Sequence, residues 1–419
     1  MNPLETPASP IFLLLLQLLV VIAVARCAGV LFRTLGQTAV IGEMAAGIFL
    51  GPSFVGRWFP SVEAALFPPS SLALLQLLSQ LGVILFMFTV GLEFDVRRLR
   101  ERARSAVVIS NAGIAVPFCL GIVLSLYLRA DFAPAHVPPI VFALFTAVAM
   151  SITAFPVLAL IIAERGLTGT DLGNTAIACA AIDDVTAWCL LTIVLAVARG
   201  QGFAGPAITI ALAILFSLIV LKGIGPRAGA FLGRPGTGER PGATTLAWAV
   251  CFAFASALVT EAIGVHALFG AFIAGVALSS ARDVAAAVRN AVEPLAAVVL
   301  LPLFFAASGL RTEIGLLGGL RDWAICGLVI AVAIAGKLGG SSVAARWSGM
   351  SWREALAIGA LMNTRGLMEL VVLNIGYELG ILSPALYTMM VVMALATTCM
   401  AGPMLSVVQG ERITNRLRT

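Results

Sequence analysis

Two neighbouring aspartates and one lysine interrupt long apolar stretches of the sequence. Asp183 and Asp184 lie within the apolar run 174–197, and Lys337 lies within the run 323–343. A charged side chain at bilayer depth costs roughly 2.5–3.5 kcal/mol on insertion scales, so such residues indicate a functional site. Carboxylates bind protons and small hard cations. We therefore interpret the three residues as an ion and proton site.

The spacing of these residues suggests a division of roles. Consecutive side chains on a helix point about 100° apart, so one aspartate can face a cavity while the other contacts a neighbouring helix. The hydroxyls of Ser151 and Thr153 are candidate oxygen ligands for the same cation. Lys337 is predicted to be a counter-ion and a second proton carrier. The alternatives are a structural pair for the aspartates and a snorkelling anchor for the lysine.

A second polar cluster interrupts the apolar run 352–377. It consists of Asn363, Thr364, Arg365 and Glu369. Arg365 and Glu369 are four residues apart, which places them on one face of a helix. We predict a structural ion pair that keeps the segment neutral and braces Asn363 and Thr364. Glu43 has no obvious partner in the sequence, and a structural acid and an acid near an ion funnel are equally consistent with its position.

The composition defines the class of protein. Hydrophobic residues make up 60% of the chain and charged residues 11%, and the mean hydropathy is +1.04. This balance excludes a water-soluble domain. The net charge of +5 comes from arginines in short loops, which indicates membrane orientation and no nucleic-acid partner. The seven cysteines form no CxxC pair, and we expect neither disulfides, zinc nor any other cofactor. Without a nucleophile–base pair or metal cluster, an enzyme is not expected.

Apolar stretches long enough to cross the hydrocarbon core recur along the chain. We predict an all-α polytopic membrane protein of about thirteen spans. They are placed at 10–27, 37–52, 72–94, 105–128, 138–163, 170–198, 205–224, 243–262, 264–281, 284–309, 321–346, 352–377 and 382–407.

The basic residues predict the orientation of these spans. An odd number of spans puts the termini on opposite sides, and a cytoplasmic C-terminus satisfies the positive-inside rule. The predicted cytoplasmic set is Arg97, Arg98, Arg100, Arg102, Arg104, Lys222, Arg227, Arg234, Arg240, Arg412, Arg416 and Arg418. The predicted outer set is Arg57, Arg129, Arg199, Arg311 and Arg321. Arginine almost replaces lysine, which indicates a GC-rich genome. We expect a multi-pass protein of the bacterial cell membrane.

Two of the predicted spans are interrupted. The fifth contains Ser151-Ile-Thr-Ala-Phe-Pro156 and the twelfth contains Asn363-Thr-Arg-Gly366. Either interruption alone is also consistent with a proline kink or a close glycine contact. Because they stand seven spans apart, an inverted repeat of spans one to six and eight to thirteen makes them counterparts. Paired discontinuous helices at matching positions indicate the binding site of a transporter.

Six segments in the same order resemble one known family. They are Leu35–Ser53, Phe86–Asp95, Ser151–Pro156, Ala181–Val185, Gly264–Gly275 and Leu361–Leu370. On these segments the chain resembles the monovalent cation/proton antiporter superfamily. It is most similar to the branch that holds the NapA-like, Kef-type and plant CHX-like exchangers.

The resemblance implies an NhaA/NapA-like antiporter fold in which the two discontinuous helices cross. It implies a homodimer whose core is formed by spans near 105–198 and 321–407, and whose scaffold is formed by spans near 10–94 and 205–309. It further implies that Asp184 binds the cation, that Asp183 pairs with Lys337, and that Ser151 and Thr153 lie on unwound backbone. Kef-type members carry a soluble regulatory domain, and we expect none here.

The predicted function is secondary active antiport of a monovalent cation, Na⁺ or K⁺, against protons. Alternating access and competition at the aspartate pair couple the two fluxes, and a proton carried by Lys337 makes transport electrogenic. The expected partners are monovalent cations, protons and the lipid bilayer. Two alternatives are a potassium channel and a sodium-coupled symporter of organic anions with a related fold.

Overall fold

The computed structural model describes residues 10–94, 96–198, 200, 204–232, 242–310 and 312–409. The secondary structure in these ranges is helical. The α-helices are α1 Pro10–Thr34, α2 Ala39–Leu50, α3 Val55–Trp58, α4 Pro60–Leu66, α5 Pro69–Glu93, α6 Val96–Phe132, α7 Pro139–Ser151, α8 Phe155–Glu164, α9 Asp171–Ala198, α10 Ala204–Leu218, α11 Gly225–Leu232, α12 Ala243–Ile263, α13 Ala267–Leu278, α14 Arg282–Leu295, α15 Leu301–Leu310, α16 Leu320–Ile334, α17 Gly340–Trp347, α18 Trp352–Met362, α19 Leu367–Glu378 and α20 Pro384–Gln409.

Three of these helices continue into their neighbours through a π-helical turn. The turns are Ile219–Ile224, Ala296–Leu300 and Ala335–Gly339. A π turn inserts one extra residue into the helix and is frequent at functional sites. The third turn contains Lys337, which is therefore presented from an irregular part of an otherwise continuous helix.

The membrane class predicted from composition is confirmed. Among the described residues, ten helical stretches are long and apolar enough to cross a bilayer. The apolar helices Pro139–Ser151 and Ala267–Leu278 are shorter. Some helices extend beyond the predicted spans, as α1 does by continuing to Thr34. The count of about thirteen spans and the inverted repeat stay predictions.

The orientation also stays a prediction. The side chains of several arginines on which it depends lie outside the described part of the structure: Arg97, Arg98, Arg100, Arg102, Arg199, Arg234, Arg240, Arg311, Arg412, Arg416 and Arg418.

The described parts of residues 1–86 and 291–315 form one compact unit. Within it, α2 and α15 approach so closely that a Cβ on Gly309 would lie 2.2 Å from the backbone carbon of Gly47. Gln17 is buried and donates hydrogen bonds of 2.7 Å to the Leu66 carbonyl and the Ser71 hydroxyl. Small residues at the helix contacts and the hydrogen bonds of the Gln17 amide nitrogen therefore help to hold this unit together.

The described parts of residues 87–290 and 316–419 form the other unit. It contains every predicted site residue except Glu43. The boundaries of the two units differ from those of the predicted core and scaffold, and that division stays a prediction.

One helix of the second unit is interrupted between α7 and α8. Ile152 (φ −73°, ψ 138°) and Ala154 (φ −87°, ψ 94°) are extended. Pro156 lies in the first turn of α8, where its missing N–H needs no partner. A continuous helix would require that N–H to donate to the Ile152 carbonyl, so the proline separates α8 from α7.

A second interruption separates α18 from α19, and it meets the first. Gly366 precedes α19 with φ 157°, and a Cβ there would lie 2.7 Å from Val157 Cγ2. Glycine is needed because it tolerates this conformation and leaves room for α8. The Ala154 N–H donates to the Thr364 carbonyl at 3.1 Å. The two breaks are therefore hydrogen-bonded to each other.

Candidate ion site

Asp183 is the most fully bonded acid of the site. Its side chain is buried on α9. Oδ1 accepts a hydrogen bond from the Ser110 hydroxyl at 2.6 Å. Oδ2 lies 2.7 Å from Thr153 Oγ1 and 2.5 Å from Lys337 Nζ. Because both carboxylate oxygens have close donors, this acid has a stable place in the protein without any bound ion.

Lys337 is completely buried and has two acceptors. Nζ lies 2.5 Å from Asp183 Oδ2 and 2.5 Å from the backbone carbonyl of Ser151, the last residue of α7. The glycines beside it allow close packing, since a Cβ on Gly336 would lie 2.8 Å from Pro117 Cα on α6. The π turn and the small residues thus bring the ammonium group to both α9 and the end of α7.

Asp184 contrasts with its neighbour. Its side chain is buried, and Oδ1 has no hydrogen-bond partner. The backbone of Phe155, the first residue of α8, contributes a hydrogen bond to this carboxylate. The first N–H groups of a helix are free of intrahelical bonds and carry partial positive charge, so this is a favourable place for a carboxylate. One oxygen nevertheless remains available for a proton or a cation.

Arg365 stabilises the end of α7, which lies on the other side of the first break from α8. Its guanidinium donates to the carbonyls of Ala149 at 2.7 Å and Met150 at 2.5 Å, and it is paired with Glu369 at 2.7 Å. Both charged side chains are fully buried. Because the last carbonyls of a helix lack intrahelical donors, Arg365 satisfies groups that the break leaves open.

The other residues of the second break differ in how well they are bonded. The Thr364 hydroxyl donates to the Leu361 carbonyl at 2.7 Å. Both polar side-chain atoms of Asn363 are buried without a partner, and Glu369 Oε1 is also unpartnered. The predicted bracing of Asn363 stays a prediction.

The hydroxyls predicted as cation ligands have protein partners in this structure. Ser151 Oγ donates to the Ala147 carbonyl at 2.6 Å. Thr153 Oγ1 lies within reach of both Asp183 Oδ2 and the Met362 carbonyl, at 2.7 and 2.9 Å, and its one proton can serve only one of them at a time. The predicted role of Ser151 and Thr153 as cation ligands stays a prediction.

Glu43 lies in the first compact unit. It is 4% exposed, and its Oε1 lies 3.5 Å from Arg26 Nη1. Glu43 therefore has a partner in the structure that was not obvious in the sequence. The sequence did not predict the pair of Arg26 and Glu43 because the two residues lie on different helices. A role near an ion funnel stays a prediction.

Sequence reasoning missed two polar residues that position the site. Ser110 on α6 bonds Asp183. Thr398 on α20 accepts a hydrogen bond from the Arg365 N–H at 2.8 Å, and its hydroxyl lies 2.8 Å from the Arg365 carbonyl. Neither residue has a sequence signal, since single hydroxyl residues are common in apolar helices and usually bond their own backbone.

A buried acid beside the ends of two discontinuous apolar helices is typical of a secondary ion transporter. The family model described as "Sodium/hydrogen exchanger, transmembrane" matches residues 19–409. The chain belongs to this family, and the resemblance seen in the sequence is confirmed. The members to which it is similar are cation/proton antiporters, which are transporters and not enzymes.

Two relatives and one solved structure illustrate the similarity. The chain is 42% identical over 396 residues to the Na⁺/H⁺ antiporter NhaS4 of Synechocystis sp., which covers 94% of this chain and 96% of that protein. It is 39% identical over 408 residues to cation/H⁺ antiporter 17 of Arabidopsis thaliana, covering 96% of this chain but about half (49%) of the plant protein. The sodium proton antiporter MjNhaP1 of Methanocaldococcus jannaschii has the same fold, with a TM-score of 0.67, 14% identity and coverage of 96% and 97%.

Proposed function

We propose that this protein exchanges a monovalent cation, Na⁺ or K⁺, for protons at Asp184, with the two ligands excluding each other. The observation that carries the proposal is the contrast between the two aspartates. Asp183 has donors on both oxygens, whereas Asp184 has a buried oxygen without a partner. An unpaired buried acceptor is unfavourable, and either a proton or a cation relieves it.

The charges of the site support the binding of one positive charge. When all are ionised, three buried carboxylates, on Asp183, Asp184 and Glu369, face two buried cationic side chains, on Lys337 and Arg365. These five groups then carry one net negative charge. As long as Lys337 keeps its proton, a single proton or a single monovalent cation at Asp184 neutralises this charge. Competition between the two ligands follows.

The proposed ligands of the cation are oxygens, as Na⁺ and K⁺ require. Asp184 supplies the carboxylate, and Ser151 and Thr153 supply oxygens from the first break. For the two hydroxyls to bind the cation, their present bonds to Ala147 and Asp183 must change. The choice between Na⁺ and K⁺ depends on how many oxygens then reach the ion.

Lys337 is the second proton carrier in this proposal, so two protons move per cation and transport is electrogenic. A neutral amine still has two N–H donors, so Lys337 can lose its proton and keep its hydrogen bond to the Ser151 carbonyl. Membrane voltage would then contribute about 2.3 kcal/mol per charge per 100 mV.

We also propose the larger architecture of the protein. The chain has about thirteen spans related by an inverted repeat. The N-terminus is outside and the C-terminus cytoplasmic. The protein is a homodimer in the cell membrane, and the core around the two breaks moves against the scaffold to expose Asp184 to either side in turn.

The proposed role of Asp184 is tested by measuring cation-dependent proton flux in everted vesicles or proteoliposomes. A pH dye reports the flux, and each alkali ion is added in turn. Asp184→Asn keeps the size of the side chain and removes its charge, and we expect loss of cation-dependent proton flux. Asp171→Asn, at the exposed start of the same helix, is the matched control and should retain exchange. Full exchange by Asp184→Asn would contradict the proposal. Single-channel currents above carrier turnover would favour a channel, and competition by organic anions without cation-dependent proton flux would favour a symporter.

A further inference from the structure

The two directions along α9 from Asp184 differ in their packing. Ile177, Asp184 and Trp188 are spaced seven and four residues apart, so they share one face of the helix. Ile177 lies about 10 Å from Asp184 along the helix axis in one direction, and Trp188 about 6 Å in the other. An ion that approaches Asp184 along α9 passes one of these two ends.

A sizeable cavity lies at the end where α9 begins. It measures about 300 Å³, and its lining includes Phe155, Asn174, Ile177 and Ala178. Phe155 is also the residue whose backbone bonds Asp184. The cavity therefore reaches Phe155, which contacts the proposed cation ligand Asp184. It is large enough to hold several water molecules.

A pair of aromatic rings lies at the opposite end. Trp188 is 4% exposed, and its ring packs against the His266 ring in a tilted arrangement, with 5.1 Å between centroids and 34° between planes. The cavity beside Trp188 measures about 20 Å³ and is lined mainly by apolar residues. That volume holds about one water molecule and is too small for a hydrated cation.

Local bonds hold the histidine ring in place. His266 caps α13, with Nδ1 accepting from the Leu268 N–H at 3.4 Å. The Ala267 N–H donates to Glu261 Oε2 at 2.9 Å. The turn between α12 and α13 is thereby fixed, and it presents the imidazole to Trp188. Moving the imidazole away from Trp188 therefore requires loss of the Nδ1 hydrogen bond or a shift of the α13 start.

We propose that the tilted ring pair of Trp188 and His266 is the barrier that closes the far end of the Asp184 site, while the cavity at Phe155 admits water and ions. This deepens the proposed function, since it takes Asp184 as the transport site. The structure then corresponds to a state open at the face where α9 begins, which is the cytoplasmic face in the predicted orientation. Transport requires the two rings to separate once per cycle.

Cysteine labelling tests the barrier without relying on transport. Cys189 follows Trp188 and lines the small cavity, so it reports access from the far side. The other native cysteines are replaced by serine or alanine: Cys27, Cys119, Cys179, Cys251, Cys326 and Cys399. The protein is placed in nanodiscs, where both faces are accessible, and is treated with a charged maleimide that does not enter lipid. Asn174→Cys, in a background without Cys189, is the reference for the cavity side.

We expect Asn174→Cys to react at least tenfold faster than Cys189. Trp188→Ala should raise the labelling rate of Cys189 at least tenfold, whereas Trp188→Phe, which keeps a ring, should leave it slow. If Trp188→Ala does not fold, as judged by size-exclusion chromatography, His266→Ala opens the same barrier from the other side. The proposal would be overturned if Asn174→Cys and Cys189 were labelled at equal rates when both rings are present. It would also be overturned if the labelling rate of Cys189 were unchanged in a folded Trp188→Ala or His266→Ala variant.

Leak measurements separate a barrier from loosened packing. In proteoliposomes, Trp188→Ala should dissipate a pH gradient without added cation, because both ends of the site are then open. Phe155→Ala widens only the cavity side and should not leak, and an equal leak from both variants would count against the barrier. Asp184→Asn should keep the parent labelling pattern, because the ring pair is unchanged. The exchange activity of this variant tests the proposed function separately. If Asp184→Asn retains full exchange, the proposed function fails, but the labelling rates still test the barrier.

Discussion

Lys337 donates to the backbone carbonyl of Ser151, at 2.5 Å, from a helix 186 residues further along the chain. Arg365 does the same for Ala149 and Met150. The last three carbonyls before the break in α7 are thus each bonded by a buried cationic side chain. Positive charge is favourable at the C-terminal end of a helix, and these carbonyls would otherwise be buried without donors. The two cations therefore stabilise the break and also balance the carboxylates.

Removal of Lys337 should destabilise the protein because it leaves Asp183 as an uncompensated buried charge. We expect Lys337→Met to lower the free energy of unfolding by roughly 3–5 kcal/mol. Asp183→Asn in the same chain should restore part of this loss, since it removes the unpaired charge. Thermal unfolding in detergent of the two single variants and the double variant measures the coupling. Additive effects would show that the two side chains do not interact.

Lys337→Met also tests the proposed proton role. If Lys337 carries a proton in each cycle, its replacement should reduce the response of exchange to an imposed membrane potential more than it changes the apparent cation affinity. Proteoliposomes with a potassium diffusion potential provide the measurement, with Na⁺ as the transported ion. An unchanged voltage response in an active variant would contradict the electrogenic part of the proposal.

Ser110 should matter because it donates to the oxygen of Asp183 that Lys337 does not contact. Ser110→Ala leaves that buried oxygen without a donor, and we expect a loss of about 1–3 kcal/mol in unfolding free energy. Ser125→Ala on the same helix is the control, because Ser125 bonds only the Ile122 carbonyl within α6 among the described contacts. Equal melting temperatures for the two variants would mean that the bond to Asp183 contributes nothing particular.

The sequence predicted the features that depend on local spacing. Arg365 and Glu369 are one helical turn apart, so their proximity follows from the periodicity of a helix. Pro156 and Gly366 indicated the two interruptions because their backbone preferences are intrinsic. The pairing of Lys337 with Asp183 was predicted from the family resemblance. Local spacing does not show which of the two adjacent aspartates contacts the lysine.

The features that sequence did not predict depend on tertiary packing. Arg26 and Glu43 meet because two helices lie side by side, and no spacing rule connects them. The cationic capping of α7 requires Lys337 and Arg365 to arrive from distant segments. Helix α13 has only twelve residues, which is shorter than the span predicted at 264–281, and buried residues occupy most of its length. Length and hydropathy alone therefore do not decide how such a segment crosses the membrane.

Gly366 is expected to tolerate no side chain. Gly366→Ala would require a strained φ and would bring Cβ within 2.7 Å of Val157. We expect a lower melting temperature, with strain of order 1–3 kcal/mol before the clash is added. Gly327→Ala in α16 is the control, since nothing lies within 4 Å of its Cβ position and alanine favours a helix. A Gly366→Ala variant as stable as the control would show that the break can relax around a side chain.

Arg365→Lys separates the charge of this residue from its shape. Lysine preserves the positive charge beside Glu369 but has one nitrogen, whereas the guanidinium reaches Glu369 and the carbonyls of Ala149 and Met150. If charge balance alone matters, the variant should exchange normally. We expect instead a lower melting temperature and at least a tenfold slower exchange, because the end of α7 loses donors and its carbonyls shift. Arg346→Lys, at an exposed arginine that donates to the Met350 carbonyl, is the control and should behave like the parent. Normal exchange and stability in Arg365→Lys would show that Arg365 acts only through its charge.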